Sequence, residues 1–181
     1  MNAISAVGVS VPPDLVADLR TDHAGETGAV WIYRGILALS RDAALREFAA
    51  RHLATEQQHL ALVCELLPPR QRSWLTGPWR LAGFLTGALP ALFGPRVVYA
   101  SIAAVETFVD RHYEEQIRAL DGRPEHAPLQ ALLRTCQADE CDHRDEARAL
   151  AGPVAARWPL RLWCAIVGSG SAFAVKIARV V

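Results

Sequence analysis

Glu56-Gln57-Gln58-His59 and Glu140-Cys141-Asp142-His143 are two copies of one pattern, Glu-x-x-His, and each has an upstream companion. Glu26-Thr27 stands 30 residues before Glu56, and Glu106-Thr107 stands 34 before Glu140. Tyr33 and Tyr113 each follow their own Glu by seven residues. The chain therefore reads as two helical hairpins on one plan, with a Glu on the first helix of each and Glu-x-x-His on the second. Antiparallel pairing of the hairpins gives an all-α four-helix bundle with a pseudo-twofold axis.

The faces of these helices say where the acids go. At 100° per residue, Leu45, Ala49, His52, Glu56, Val63 and Leu67 fall within about 40° of one another, so Glu56 lies inside an apolar stripe. His59 stands about 60° away and one turn on, close enough to converge with it. Leu129, Leu133, Cys136, Glu140 and Ala147 share a side in the same way, with His143 beside Glu140. Glu106 lies among Tyr99, Ile102, Ala103, Val109, Tyr113 and Ile117, and Glu26 shares a face with Val30, Tyr33 and Leu37. An isolated carboxylate in an apolar core is expensive, and four together require compensating charge. Two Fe²⁺ ions supply it, and with neutral imidazoles the site sums to zero. Oxygen-rich ligation with one His per metal suits iron or manganese better than zinc. A single Glu-x-x-His is often only a surface pair. Two of them, each with an upstream Glu on an apolar stripe, match the pattern of di-iron carboxylate bundles. The expected metal ligands are Glu26, Glu56, His59, Glu106, Glu140 and His143.

Outward from the motifs, helices are expected over about 14–40, with Asp14 as N-cap, and over 42–67, stopped by Pro68-Pro69. Two more are expected over 96–120 and 128–150, and a last apolar one over about 160–180. Residues 1–13 read as an irregular start to a single domain spanning 1–181. The segment 70–95 reads as mixed, because Gly and Pro recur in it. Two stretches carry no charge, 81–95 and 162–175. Both fall short of the 18 or so apolar residues of a spanning helix, so they are expected to be membrane-associating interfacial helices or helices buried on the bundle.

Lys+Arg and Asp+Glu are both 19, which excludes the basic footprint of a nucleic-acid binder. An apolar share of 51% and a mean hydropathy of +0.13 fit contact with lipid or a large apolar partner, and equally an Ala-rich helical composition. The four cysteines form no C-x-x-C pair and are expected to be reduced. The first residues lack a basic, apolar leader pattern and an Arg-rich presequence. Arg predominates over the single Lys176, a bias associated with GC-rich bacterial genomes. His23, His52, His112 and His126 lack paired partners, and structural roles are expected for them. His52 faces the core stripe, where it can support the ligands.

The segments Asp22-His23-Ala24-Gly25-Glu26-Thr27-Gly28-Ala29, Glu56-Gln57-Gln58-His59-Leu60, Ala104-Val105-Glu106 with His112-Tyr113 and Gln116, and Asp139-Glu140-Cys141-Asp142-His143 carry a family resemblance. From about Leu19 onward the chain resembles the demethoxyubiquinone hydroxylases, di-iron monooxygenases of ubiquinone biosynthesis. The resemblance implies a ferritin-like bundle in which those six residues hold two Fe ions, with Glu56 and Glu140 as candidate bridges. It further implies O₂ as co-substrate, an external reductant such as NADH, and a polyprenyl quinone or quinol whose ring is hydroxylated. His112 and Tyr113 match a His-Tyr pair connected with electron delivery or quinone contact. Implied too are a peripheral place on the cytoplasmic face of a bacterial inner membrane, a lipid-binding helper protein and a homo-oligomer. One rival is a ferritin-like iron store or peroxide scavenger, which uses the same ligands but has no use for apolar flanking helices. A non-catalytic membrane scaffold is the other, and the doubled motif counts against it.

Overall fold

The computed structural model describes residues 6, 8–153 and 158–180; residues 1–5 and 7 of the irregular start lie outside the described residues. Six α-helices and no strand occur among the described residues: α1 Val16–Leu39, α2 Ala43–Leu66, α3 Thr76–Ala91, α4 Pro95–Ala119, α5 Ala127–Ala151 and α6 Trp158–Ala178.

Local chemistry sets the boundaries. Asp14 is not an N-cap: it lies in a 3₁₀ turn, Pro13–Leu15, and α1 begins at Val16 without a side-chain cap. Asp42 does cap α2, accepting from the Leu45 amide at 2.8 Å. Pro68 and Pro69 end that hairpin in a 3₁₀ turn, Pro69–Gln71. Segment 70–95, expected to be mixed, instead contains the 16-residue helix α3. Pro78 sits in its first turn, with no helical partner to lose, whereas Pro90 lies inside the helix one residue before its end, where it forgoes the amide bond to the Thr86 carbonyl. Gly94 turns the chain at φ 104°, a backbone region that favours glycine, and Pro95 opens α4.

The expected hairpins are α1–α2 and α4–α5, and they form the bundle. Helix α3 lies along α1 and reaches α4, while α6 returns over α4 and α1. Two apolar clusters fill the bundle. One gathers Ile36, Leu45, Phe48, Val98, Ile102 and Ala147, and the other gathers Leu19, Leu62, Leu67, Ile117, Leu129 and Leu133. Along each bundle helix, the acidic motif residues fall between these clusters. The pattern is apolar at both ends of each stripe and polar at its centre.

Helix α3 meets α1 through close backbone contacts as well as through the Phe84 ring, edge-on to Trp31 with centroids 6.5 Å apart. A Cβ on Gly87 would stand 1.9 Å from the Ile32 carbonyl oxygen, and one on Gly83 would stand 2.2 Å from that of Gly28. Only glycine permits this approach. Helix α6 is anchored differently. Trp163 Nε1 donates to Ser101 Oγ at 2.7 Å, and Arg179 pairs with Asp18 at 2.8 Å. At 21 residues α6 is also longer than its uncharged stretch implied, and by length and composition alone it is apolar enough to cross a membrane. The four cysteines are free.

Gly87→Val is expected to lower stability by about 2 kcal/mol or more, a melting-temperature drop of about 4–8 °C for a chain of this size, because the clash is with backbone that cannot rotate away. Thermal denaturation followed by circular dichroism checks this. Gly77→Val, where an added Cβ meets nothing within 4 Å, is the control.

Candidate metal centre

The six residues singled out by the repeat converge. Glu26, Glu56, His59 and Glu140 each offer a ligand atom within 4.8 Å of the others, and so do Glu56, Glu106, Glu140 and His143. All are buried. Glu56 and Glu140 belong to both groups, which is the arrangement two ions sharing bridging carboxylates need. The hairpins are cross-linked reciprocally. His59 Nδ1 lies 2.9 Å from Glu140 Oε1, and His143 Nδ1 lies 3.1 Å from Glu56 Oε1. Tyr113 donates to Glu26 Oε1 at 2.6 Å, and Tyr33 makes the counterpart bond to Glu106 at 3.4 Å. Each tyrosine thus serves the other hairpin's Glu, a pairing that sequence spacing alone does not supply.

The donor set fits a pair of cations. Glu26 Oε2, Glu56 Oε1, Glu140 Oε2 and His143 Nδ1 are buried without a hydrogen-bond partner. Such atoms are costly unless an ion or proton satisfies them. Burial pushes the carboxyls of Glu26, Glu56 and Glu106 up. Burial opposes ionisation of Glu140 as well, but the His143 and His59 imidazoles close beside it overcome that and bring the carboxyl to about 2. The imidazoles answer in kind: burial works against their charge, yet the surrounding carboxylates raise His59 and bring His143 to about 9. Without metal, protons supply the neutralising charge.

Around this cluster stand further residues outside the six expected ligands. Asp139 Oδ2 sits 3.1 Å from His59 Nε2, so His59 turns its other nitrogen to the carboxylates. The first hairpin has Thr55 at the matching place, and the two halves differ there. His52, buried as its stripe position implied, bonds Glu146 at 2.9 Å and packs on His143 with ring centres 4.0 Å apart. His112 is not the unpaired residue the sequence implied. Thr21 gives its hydroxyl hydrogen to the Asp18 carbonyl at 2.6 Å, so its oxygen can only accept from His112 Nε2, also at 2.6 Å. Asp22 Oδ1, held by Gln116, lies 3.1 Å from the same nitrogen. Nε2 therefore carries a hydrogen, and Nδ1 is left as the second functional atom of the ring. The Asp22 and Gln116 positions stood in the quoted segments, but nothing in their spacing paired them with His112.

A cavity of about 450 Å³ connects the acids to the outside. Glu26, Glu56, Glu106 and Glu140 line its inner end, with His112 and Tyr113 on its wall. Gly83 and Thr86 of α3 and Ile166 and Phe173 of α6 line its outer part.

Residues 14–178 match the family model described as "Ubiquinone biosynthesis protein COQ7". The chain belongs to this family. Among curated relatives, a "3-demethoxyubiquinol 3-hydroxylase" of Rhodospirillum rubrum is 41% identical over 130 residues, 70% of this chain and 60% of the relative. A Homo sapiens protein, "NADPH-dependent 3-demethoxyubiquinone 3-hydroxylase, mitochondrial", is 34% identical over 131 residues, and a Caenorhabditis elegans protein of the same printed name is 27% identical over 165. The match spans about 60% of the length of the first of these relatives. The COQ7 family agrees with the resemblance carried by the motifs and with an all-α fold.

Anaerobic iron loading followed by metal analysis is expected to give two ions per chain, one per ligand group. Glu56→Ala and Glu140→Ala should each lose both, whereas Glu26→Ala should spare the ion on the Glu106 side. Asp139→Ala should weaken one ion about tenfold or more and leave the other. Retention of two ions by Glu56→Ala would contradict the shared-carboxylate arrangement.

Proposed function

We propose that the chain is an O₂-dependent di-iron monooxygenase that hydroxylates the ring of a demethoxyubiquinone-type polyprenyl quinol in ubiquinone biosynthesis. One observation carries this reading above iron storage: an apolar cavity leads from between α3 and α6 to the four glutamates, and its volume is in the range of small-molecule sites. A store needs passage for an ion, not an apolar slot. The printed names of the relatives support the same substrate class.

Glu26, Glu56, His59, Glu106, Glu140 and His143 would hold two iron ions, whose bound chemistry is the activation of O₂. The chain's own residues do the rest. The apolar wall admits the ring and excludes water that would waste the oxidant. Tyr113 holds Glu26 Oε1 at 2.6 Å and leaves Oε2 unpartnered, the atom with which that carboxylate would take an ion. His112, its Nε2 committed to Thr21 and Asp22, offers Nδ1 to a ring hydroxyl and can take or return its proton. The external reductant is a nicotinamide; the mitochondrial relatives' names specify NADPH where the resemblance implied NADH. In this reading the isoprenoid tail leaves between α3 and α6 toward a lipid surface, with the protein peripheral on the cytoplasmic face of a bacterial inner membrane. A lipid-binding helper protein and a homo-oligomer belong to the same reading.

A bacterial strain lacking its own demethoxyubiquinone hydroxylase is expected to regain its mature quinone when it expresses this chain. His143→Ala should leave the demethoxy precursor accumulated, as liquid chromatography with mass spectrometry will show. His112→Ala should keep both irons yet convert precursor slowly. An iron-loaded wild-type protein that fails to restore the quinone would make iron storage the better reading.

A further inference from the structure

The formal charge of this chain is zero, but the charge is not evenly spread. Residues 66–105 carry four Arg and no acid; residues 147–181 carry four Arg, one Lys and no acid. These two stretches hold nine of the 19 basic residues and none of the 19 acidic ones, so the rest of the chain has the balancing negative excess. The same two stretches contain α3 and α6. They also hold every exposed large hydrophobic side chain among the described residues except Leu39. Charge segregation and apolar exposure therefore coincide, and they do so on the two helices that border the cavity.

We infer that the α3–α6 face docks on a bilayer rich in anionic phospholipid, the apolar side chains entering the interface and the cations pairing with lipid phosphates. The inference rests on the reading that the substrate is lipid-borne, and it names the lipid charge that reading leaves open. Leu81, Leu85 and Leu89 project from α3, Leu92 stands just past its end, and Leu162, Ile166 and Phe173 project from α6. Trp74 stands just before α3 and Trp158 opens α6, 72% and 75% exposed, the residue type that settles at a membrane–water boundary. Arg80 lies in the second turn of α3 and Arg96 in the first turn of α4, just beyond the other end of α3, and Arg161 and Lys176 lie toward the two ends of α6, all exposed. On α6, Lys176 falls on the same arc as Ile166 and Phe173, where its long stem lies along apolar surface while the ammonium reaches the headgroups. An interfacial helix binds by apolar burial plus attraction to anionic lipid, and both ingredients are present. An acidic protein partner would be attracted by the same charge, but it gives no reason for so many apolar side chains around the mouth of a cavity that takes a lipid-tailed ligand.

Co-sedimentation of the full chain with vesicles tests this. Phosphatidylcholine vesicles are compared with vesicles containing about one-third phosphatidylglycerol, at low and high salt. Binding to the anionic vesicles is expected to be at least about tenfold tighter, with the gap narrowing as salt rises. Arg161→Glu combined with Lys176→Glu should remove most of that preference. Arg41→Glu combined with Arg134→Glu, exposed positions on the acid-rich part of the chain, should not. Thermal unfolding and iron content verify that both double variants are folded. Equal affinity for the two vesicle types, or an equal loss from the control, would overturn the inference. Binding to neither vesicle type would overturn it together with the lipid contact. The hydroxylase reading stands or falls separately, on iron content and on turnover of a detergent-dispersed quinol.

Discussion

Between two apolar clusters, four glutamates and two histidines are brought so close that their ligand atoms lie within 4.8 Å in each group of four. Like charges at that separation in a dry interior cannot all ionise, and each raises the pKa of the next. The rest of the molecule is arranged around making this layer tolerable. The hairpins cross, so that each His meets the other hairpin's Glu, and each tyrosine hydroxyl reaches across in the same sense. Protons fill part of the deficit, and two divalent ions would fill more of it. The bundle is thus a container whose most expensive layer lies at its centre, and the apolar clusters above and below hold it closed.

Most of that layer was legible in the sequence because it rests on two local rules. A period near 3.6 fixes which side of a helix a residue occupies, and the repeat fixes which helices correspond. The two expected hairpins, the six converging residues and the buried His52 follow from those rules. Helix α3 did not follow, because its inner face is glycine. Gly83 and Gly87 look like turn residues until the partner backbone that needs them is known. The Thr21, Asp22 and His112 network was hidden for a different reason. Its members sit on α1 and α4, far apart in the chain, and one backbone carbonyl, that of Asp18, decides the direction of the hydrogen bond. Asp14 shows the converse, a sound capping residue displaced by a proline that favours a 3₁₀ turn.

The two halves of the pseudo-twofold are not equivalent. Asp139 supports His59, but Thr55 stands where a matching carboxylate would support His143. The tyrosine bonds differ as well, 2.6 Å at Glu26 against 3.4 Å at Glu106. The residues around Glu26 are therefore the more tightly framed of the two sets, and those around Glu106 have more room to shift.

The glycine seam between α1 and α3 has a consequence for the cavity. With carbonyl groups setting the closest approach of the two helices, the wall that α3 contributes stands at a fixed distance from α1. Packed side chains can change rotamer; a backbone-to-backbone seam cannot. The slot leading to the acids is consequently a gauge: on this side its width is set by atoms common to every residue, so changing it requires lifting a whole helix.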